Sequence, residues 1–221
     1  MCLHHPHWPP NTLDTPPARR VPGAADSKLV TAARREPLGS GARRVGVMSD
    51  HHIKRLVIMR HAKADWPMGV PDHERPLEER GHREAPLAGK WLLKHGVVPD
   101  FILCSSALRT RQTCTWVCDE LGDKAPTPKL EDGLYSASAN RMLTVINHVP
   151  DTVTTLMVIS HMPGVQDLAM HLASRDSDHD AYMDAANRYP TSALTVMETE
   201  KSWAELDGQD ARLTHFKVPR P

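Results

Sequence analysis

At 221 residues the chain has room for one ordinary domain with a full core, or such a domain plus a tail. Its 27 basic and 27 acidic residues balance, and nothing in their spread provides the basic face a nucleic-acid groove requires. No apolar run approaches the roughly 20 residues of a membrane span, and the four cysteines, Cys2, Cys104, Cys114 and Cys118, are too few and too unevenly placed for a disulfide framework.

The chain opens on a segment unlike the rest. Residues 1–47 hold seven of the 19 prolines and seven Lys/Arg against three acids, with neither helical nor strand periodicity. Such a stretch cannot bury enough apolar surface to offset the entropy of ordering. Residues 1–52 are therefore expected to be a disordered tail, with 53–221 as the domain and Met48 as a candidate natural start. No continuous apolar stretch of signal-peptide type follows the first residues.

From residue 53 short apolar runs recur at 56–59, 101–104, 156–159 and 193–197. Uninterrupted runs of this length suit strands buried on both faces of a largely parallel sheet. Between them lie helical patterns. The first is Ala85, Ala88, Trp91, Leu92 and His95, stopped by Gly96; the second spans 108–121, ended by Gly122. A third is expected around Met142, Leu143, Val145 and Ile146, and a fourth over 165–172 with Pro163 near its first turn. Residues 192–197 and 212–216 read as closing strands, paired antiparallel at an edge. The fold class that follows is α/β, a three-layer domain with a mostly parallel sheet flanked by helices. Cys114 and Cys118, one helical turn apart, read as small buried hydrophobes in a reducing cytoplasm.

Ligands of open α/β sheets collect at the carboxyl ends of the strands. The first run is followed by "RHAK", the second by "SSALRTRQT" and the third by "SHMPG". Three strand ends thus send Arg60, His61, Arg109 and His161 to one edge. Two guanidiniums and two imidazoles crowd together favourably only around an anion, and arginine forks match phosphate oxygens. Helix N-termini at Ser105/Ser106 and at Pro163 are expected to add N–H donors. His61, directly at a strand end beside Arg60, is the candidate nucleophile for in-line attack on phosphorus.

These motifs carry a family resemblance. "RHAKADW", "RPLEERGHREAPLAGKWL", "SSALRTRQT", the Leu134-Tyr135 pair, "SHMPG" and the closing "YPTSALTVME" resemble the histidine phosphatase superfamily, and most closely its compact SixA-like phosphohistidine phosphatases. The resemblance spans roughly residues 53–220. It implies a phosphoglycerate-mutase-like fold and a reaction without metal or other cofactor. It implies His61 as the phosphorylated nucleophile, with Arg60, Arg109 and His161 as phosphate-binding and catalytic partners. Two positions depart from the pattern: Ala64 where relatives commonly have Ser, and Met162 where they commonly have Asn. The superfamily's proton donor is usually an acid on a loop after the second helix, for which Glu131 and Asp132 are both candidates; Asp65, close behind His61, is a further one.

A cysteine phosphatase fails on spacing, since Cys104 and Arg109 are separated by four residues where that chemistry uses five. The nucleotide loop G-x-x-x-x-G-K-[ST] is absent. The connection between the second helix and the 156–159 strand is short, about thirty residues, which should leave the site open to a phosphorylated side chain of another protein. Phosphohistidine on a phosphotransfer protein is the leading substrate. A broad-specificity phosphomonoesterase acting on sugar or nucleotide phosphates is the runner-up, and a non-catalytic phosphate-binding module the third reading. Neither nucleic acid nor membrane is expected as a partner.

Overall fold

The computed structural model describes residues 53–220. The expected tail and the expected start at Met48 lie outside these residues. Among the described residues six strands form one sheet: β1 (Lys54–Arg60), β2 (Phe101–Ser105), β3 (Lys129–Glu131), β4 (Thr155–Ser160), β5 (Leu194–Thr199) and β6 (Arg212–Lys217), in the order β3-β2-β4-β1-β5-β6. The first four run parallel; β5 is antiparallel to β1, and β6 antiparallel to β5. Five α-helices accompany them among the described residues: α1 (Glu79–Lys94), α2 (Leu108–Leu121), α3 (Ala139–Ile146), α4 (Gly164–Leu172) and α5 (His179–Asn187). No helix among the described residues is long and apolar enough to cross a membrane.

The pleat explains why the strand runs are uninterrupted. Leu56 and Ile58 of β1 face a core shared with Met142, Ile146, Val165 and Leu168 of α3 and α4. Val57 and Met59 face the opposite core, with Ala88 and Leu92 of α1 and Cys114, Val117 and Leu121 of α2. Successive strand side chains point to opposite faces, so a strand covered on both sides is apolar at every position. Each such Leu, Ile, Val or Met side chain contributes about 1.5–3 kcal/mol by leaving water.

Differences from expectation have local causes. Helix α1 begins at Glu79, before the apolar repeat and with Pro86 inside it. Its first turn is polar except for Gly81, where a Cβ would sit 2.2 Å from the Lys63 carbonyl oxygen, so only glycine lets this helix press against the segment after β1. Strand β3 is three residues long and exists through pairing with β2, without an apolar run to announce it. Helix α5 buries only Ala185 and is started by Asp178, whose side chain accepts from the Ala181 N–H.

Candidate active site

The register of the two central strands builds the site. Arg60 pairs with Ser160 across β1 and β4, and the His61 N–H donates to the Ser160 carbonyl at 3.0 Å. The residues that follow, His61 and His161, therefore stand side by side, their ring centroids 5.1 Å apart. Neighbouring β2 ends in Ser105, whose hydroxyl lies 2.8 Å from His161 Nε2. Helix α2 then carries Arg109 to the same place. A cross-link holds it there: the Ala62 N–H donates to Thr113 Oγ1 at 3.0 Å, and that hydroxyl donates to the Arg109 carbonyl at 2.7 Å. Gly164 opens α4 with no room for a side chain, because a Cβ would lie 2.1 Å from the Ala137 carbonyl oxygen.

Arg60, His61, Arg109 and His161 all line one open cleft of about 360 Å³, together with Lys63, Trp66, Asp72, Arg75 and both departing positions, Ala64 and Met162. His61 Nδ1 lies 2.7 Å from the Ala62 carbonyl oxygen. A carbonyl cannot donate, so Nδ1 carries the proton and the lone pair of the neutral ring is on Nε2. Burial holds His61 down to about 3, helped by the positive charge of Arg109 and Arg60 and opposed by the Ala62 hydrogen bond. His161 is held at about 4, by burial first and then by Arg109. Both rings are neutral at pH 7. Arg60 donates to the Tyr189 carbonyl at 2.9 Å, and burial lowers its pKa. Two nitrogens of this group, Arg60 Nε and His161 Nδ1, are buried without a hydrogen-bond partner among the described residues.

Asp72, on a short turn between β1 and α1, was not foreseen. Its carboxylate accepts from Arg109 Nη2 at 3.0 Å, Arg75 Nη1 at 2.9 Å and the Tyr135 hydroxyl at 2.6 Å, while its backbone carbonyl accepts from Arg109 Nη1 at 2.5 Å. These donors, Tyr135 foremost, hold its acid well below the usual carboxylate range. Each terminal nitrogen of Arg109 keeps a second N–H for another acceptor. The sequence signals were present in "DHERPL" and the Leu134-Tyr135 pair, but nothing in them shows which partners meet.

The expected proton donors are placed elsewhere. Glu131 ends β3, accepts from the Gly133 N–H and pairs with Lys129, lining a separate groove with Arg141 and His148. Neither Glu131, Asp132 nor Asp65 is among the residues lining the cleft; the Asp65 carboxylate accepts from its neighbour's N–H, on Trp66. The expected helix start at Ser105/Ser106 also moves: α2 begins at Leu108 after Ala107, and Ser105 closes β2.

What this arrangement can do follows from its parts. A neutral imidazole with the lone pair on Nε2, set among guanidiniums, has the chemistry to attack an electrophilic centre, and the guanidiniums have the chemistry to hold an anion. Comparison with known proteins identifies the family. The sequence pattern of the histidine phosphatase superfamily (branch 1) matches residues 56–142. An uncharacterised protein of Mycobacterium tuberculosis is 40% identical over 163 residues, which is 73% of this chain and 100% of that protein. The proposed phosphohistidine phosphatase SixA of Nakamurella multipartitia superposes with a TM-score of 0.67 at 30% identity, over 76% of this chain and 96% of that one. Its proposed counterpart from Agrobacterium tumefaciens gives 0.62 at 27% identity, over 75% and 98%. With this sheet order, these strand ends and these relatives, the chain belongs to the histidine phosphatase superfamily, in its SixA-like branch, and is a phosphatase.

Proposed function

We propose that this phosphatase removes the phosphoryl group from phosphohistidine on another protein, through a covalent intermediate on His61, in the cytoplasm. The observation that carries the reading is the proton inventory of the cleft. Asp72, its one lining carboxylate among the described residues, accepts three side-chain hydrogen bonds and is ionised, and both histidines are neutral. No lining carboxylic acid is poised to protonate a departing alkoxide. A phosphohistidine protonated on its remote ring nitrogen needs no such acid. The relatives from Nakamurella multipartitia and Agrobacterium tumefaciens, proposed as phosphohistidine phosphatases, support it.

In this reading the Nε2 lone pair of His61 attacks phosphorus in line. The substrate P–N bond breaks, and its electron pair returns to an imidazole that leaves neutral, keeping the proton on its remote nitrogen. Water then attacks phospho-His61, the P–Nε2 bond breaks toward the ring, and the oxygen's protons leave with inorganic phosphate. His61 Nδ1 keeps its proton throughout, donating it to the Ala62 carbonyl. Arg60, Arg109 and His161 hold the equatorial oxygens, which also gives partners to Arg60 Nε and His161 Nδ1.

The test compares a histidine-phosphorylated phosphotransfer protein with p-nitrophenyl phosphate. The proposed reading expects the higher kcat/KM on the phosphoprotein. Turnover of the ester alone would instead support the small-molecule phosphomonoesterase, which the open cleft also admits.

Two further expectations arise here. The acid limb of kcat/KM reports the free enzyme. A histidine nucleophile whose pKa is lowered to about 3 stays unprotonated as pH falls through the ordinary 6.5. After correction for substrate ionisation, kcat/KM should therefore hold from pH 7 to about 5 and fall only below that; a break near 6.5 would contradict the assignment. The second concerns Asp72, which grips the Arg109 fork through carboxylate and carbonyl. Asp72→Ala should lower kcat/KM roughly 10-fold or more by loosening that guanidinium. In an Arg109→Ala background the same change should cost much less, because the two act as a unit. Additive losses would show that Asp72 works independently of Arg109.

A further inference from the structure

Seven large hydrophobic side chains stand exposed among the described residues, and three of them fall within five consecutive positions: Trp66, Met68 and Val70, at 73%, 101% and 37% exposure. Scattered exposed hydrophobes need no explanation, whereas a cluster does. This cluster sits beside the phosphatase site, for Trp66 itself lines the cleft.

The segment is held in place, so its exposure is not that of a loose loop. The Arg75 guanidinium lies over the Trp66 ring, 3.2 Å from its centroid, and Arg75 is itself buried. Arg75 Nε donates to the Asp65 carbonyl at 2.8 Å, and the Asp65 N–H to the Pro76 carbonyl at 2.9 Å. Ala64 bridges to Leu77. The tip turns at Gly69, with φ of 77°, between Pro67 and Pro71. The same Arg75 pairs with Asp72, which holds Arg109. A fixed apolar prong is thereby joined through two ion pairs to the phosphate-facing arginine.

We infer that the Trp66–Val70 prong is the docking surface for the folded protein whose phosphohistidine enters the cleft, and that it takes an apolar patch flanking that histidine. The inference rests on the proposed protein substrate. Its occupant follows from reach: a phosphorylated histidine extends only about 7 Å beyond its own Cα by ordinary bond lengths. For its phosphorus to meet His61, the backbone that carries it must come down to the cleft rim, and the prong forms part of that rim. A small phosphate ester has no surface to offer there. Tryptophan and methionine are enriched at protein interfaces. A prong already fixed by Arg75, two prolines and a turn loses little freedom on binding.

The experiment uses the full chain with Met68→Asp and, separately, Val70→Asp. Both change solvent-facing residues outside the cleft lining. Substrates are a phosphotransfer protein phosphorylated on histidine by phosphoramidate, and p-nitrophenyl phosphate. The expected result is a KM for the phosphoprotein raised about 10-fold or more, with kcat little changed, and ester kinetics equal to wild type. An unchanged phosphoprotein KM in both variants would overturn the docking surface while leaving the substrate reading intact. Wild-type turnover of the ester without any phosphoprotein turnover would overturn the substrate reading and the docking surface together. Equal losses on both substrates would also overturn the docking surface, since a docking role cannot reach a small ester.

Discussion

His61→Ala is expected to lower turnover by on the order of 10⁴-fold or more on every substrate, while the protein stays folded. The magnitude follows from the proposed two-step chemistry. Without the ring there is no Nε2 to accept the phosphoryl group, and water would have to attack the substrate directly in a pocket shaped for an imidazole. What remains is the electrostatic help of Arg60, Arg109 and His161. Stability should change little, because His61 makes one side-chain hydrogen bond, to its own neighbour's carbonyl, and lies against polar groups of the cleft rather than in either hydrophobic core. Circular dichroism and a thermal melt beside the assay separate lost chemistry from lost fold. A variant retaining most of its kcat would remove His61 from the nucleophile's place.

The second large effect is expected at Arg109. Arg109→Ala should cost roughly 10²- to 10³-fold in kcat/KM, the usual loss when one preorganised donor to a transition-state oxyanion is removed. Arg109→Lys should recover little of it. The side chain is buried, and its two terminal nitrogens are fixed by Asp72 so that the fork presents its other N–H groups. An ammonium has no such geometry. The carboxylate left behind in the alanine variant is half-exposed, so water can solvate it and the fold should hold. Orthovanadate, which resembles the trigonal transition state, gives an independent readout: its inhibition should weaken in step with kcat/KM. Unchanged vanadate affinity would mean that Arg109 does not face the reacting phosphoryl group.

How much of this was legible in the sequence varied with the kind of information involved. The runs at 56–59, 101–104 and 156–159 announced central strands because both faces of the sheet are covered, which removes polar alternation. The residues following each run then announced the site, since strand ends of a parallel sheet converge on one edge. The pairing of Arg60 with Ser160, which sets His61 beside His161, is a register, and no local pattern encodes it. The Asp72 network was equally hidden: its contacts join residues 37 and 63 positions apart, so neither partner marks the other in the chain. The expected proton donors, Glu131 and Asp132, came from a superfamily habit carried to an acidic turn, and neither lines the cleft. In this fold that turn closes an edge strand, and the Glu131 carboxylate is spent on the Gly133 N–H and Lys129. Helix α5 and strand β3 escaped notice for the reason that most polar elements do, namely that capping and backbone pairing stabilise them without an apolar stripe.

The central claim is a phosphoryl group carried on His61, and the most direct test is to trap it. Brief exposure of the protein to phosphoramidate, followed by quenching in base and peptide mass spectrometry, should show one phosphorylation that is stable to alkali, labile to acid and confined to His61, and none in His61→Asn. Label found on another residue, or turnover with no trappable label and an undiminished rate in His61→Asn, would contradict the account.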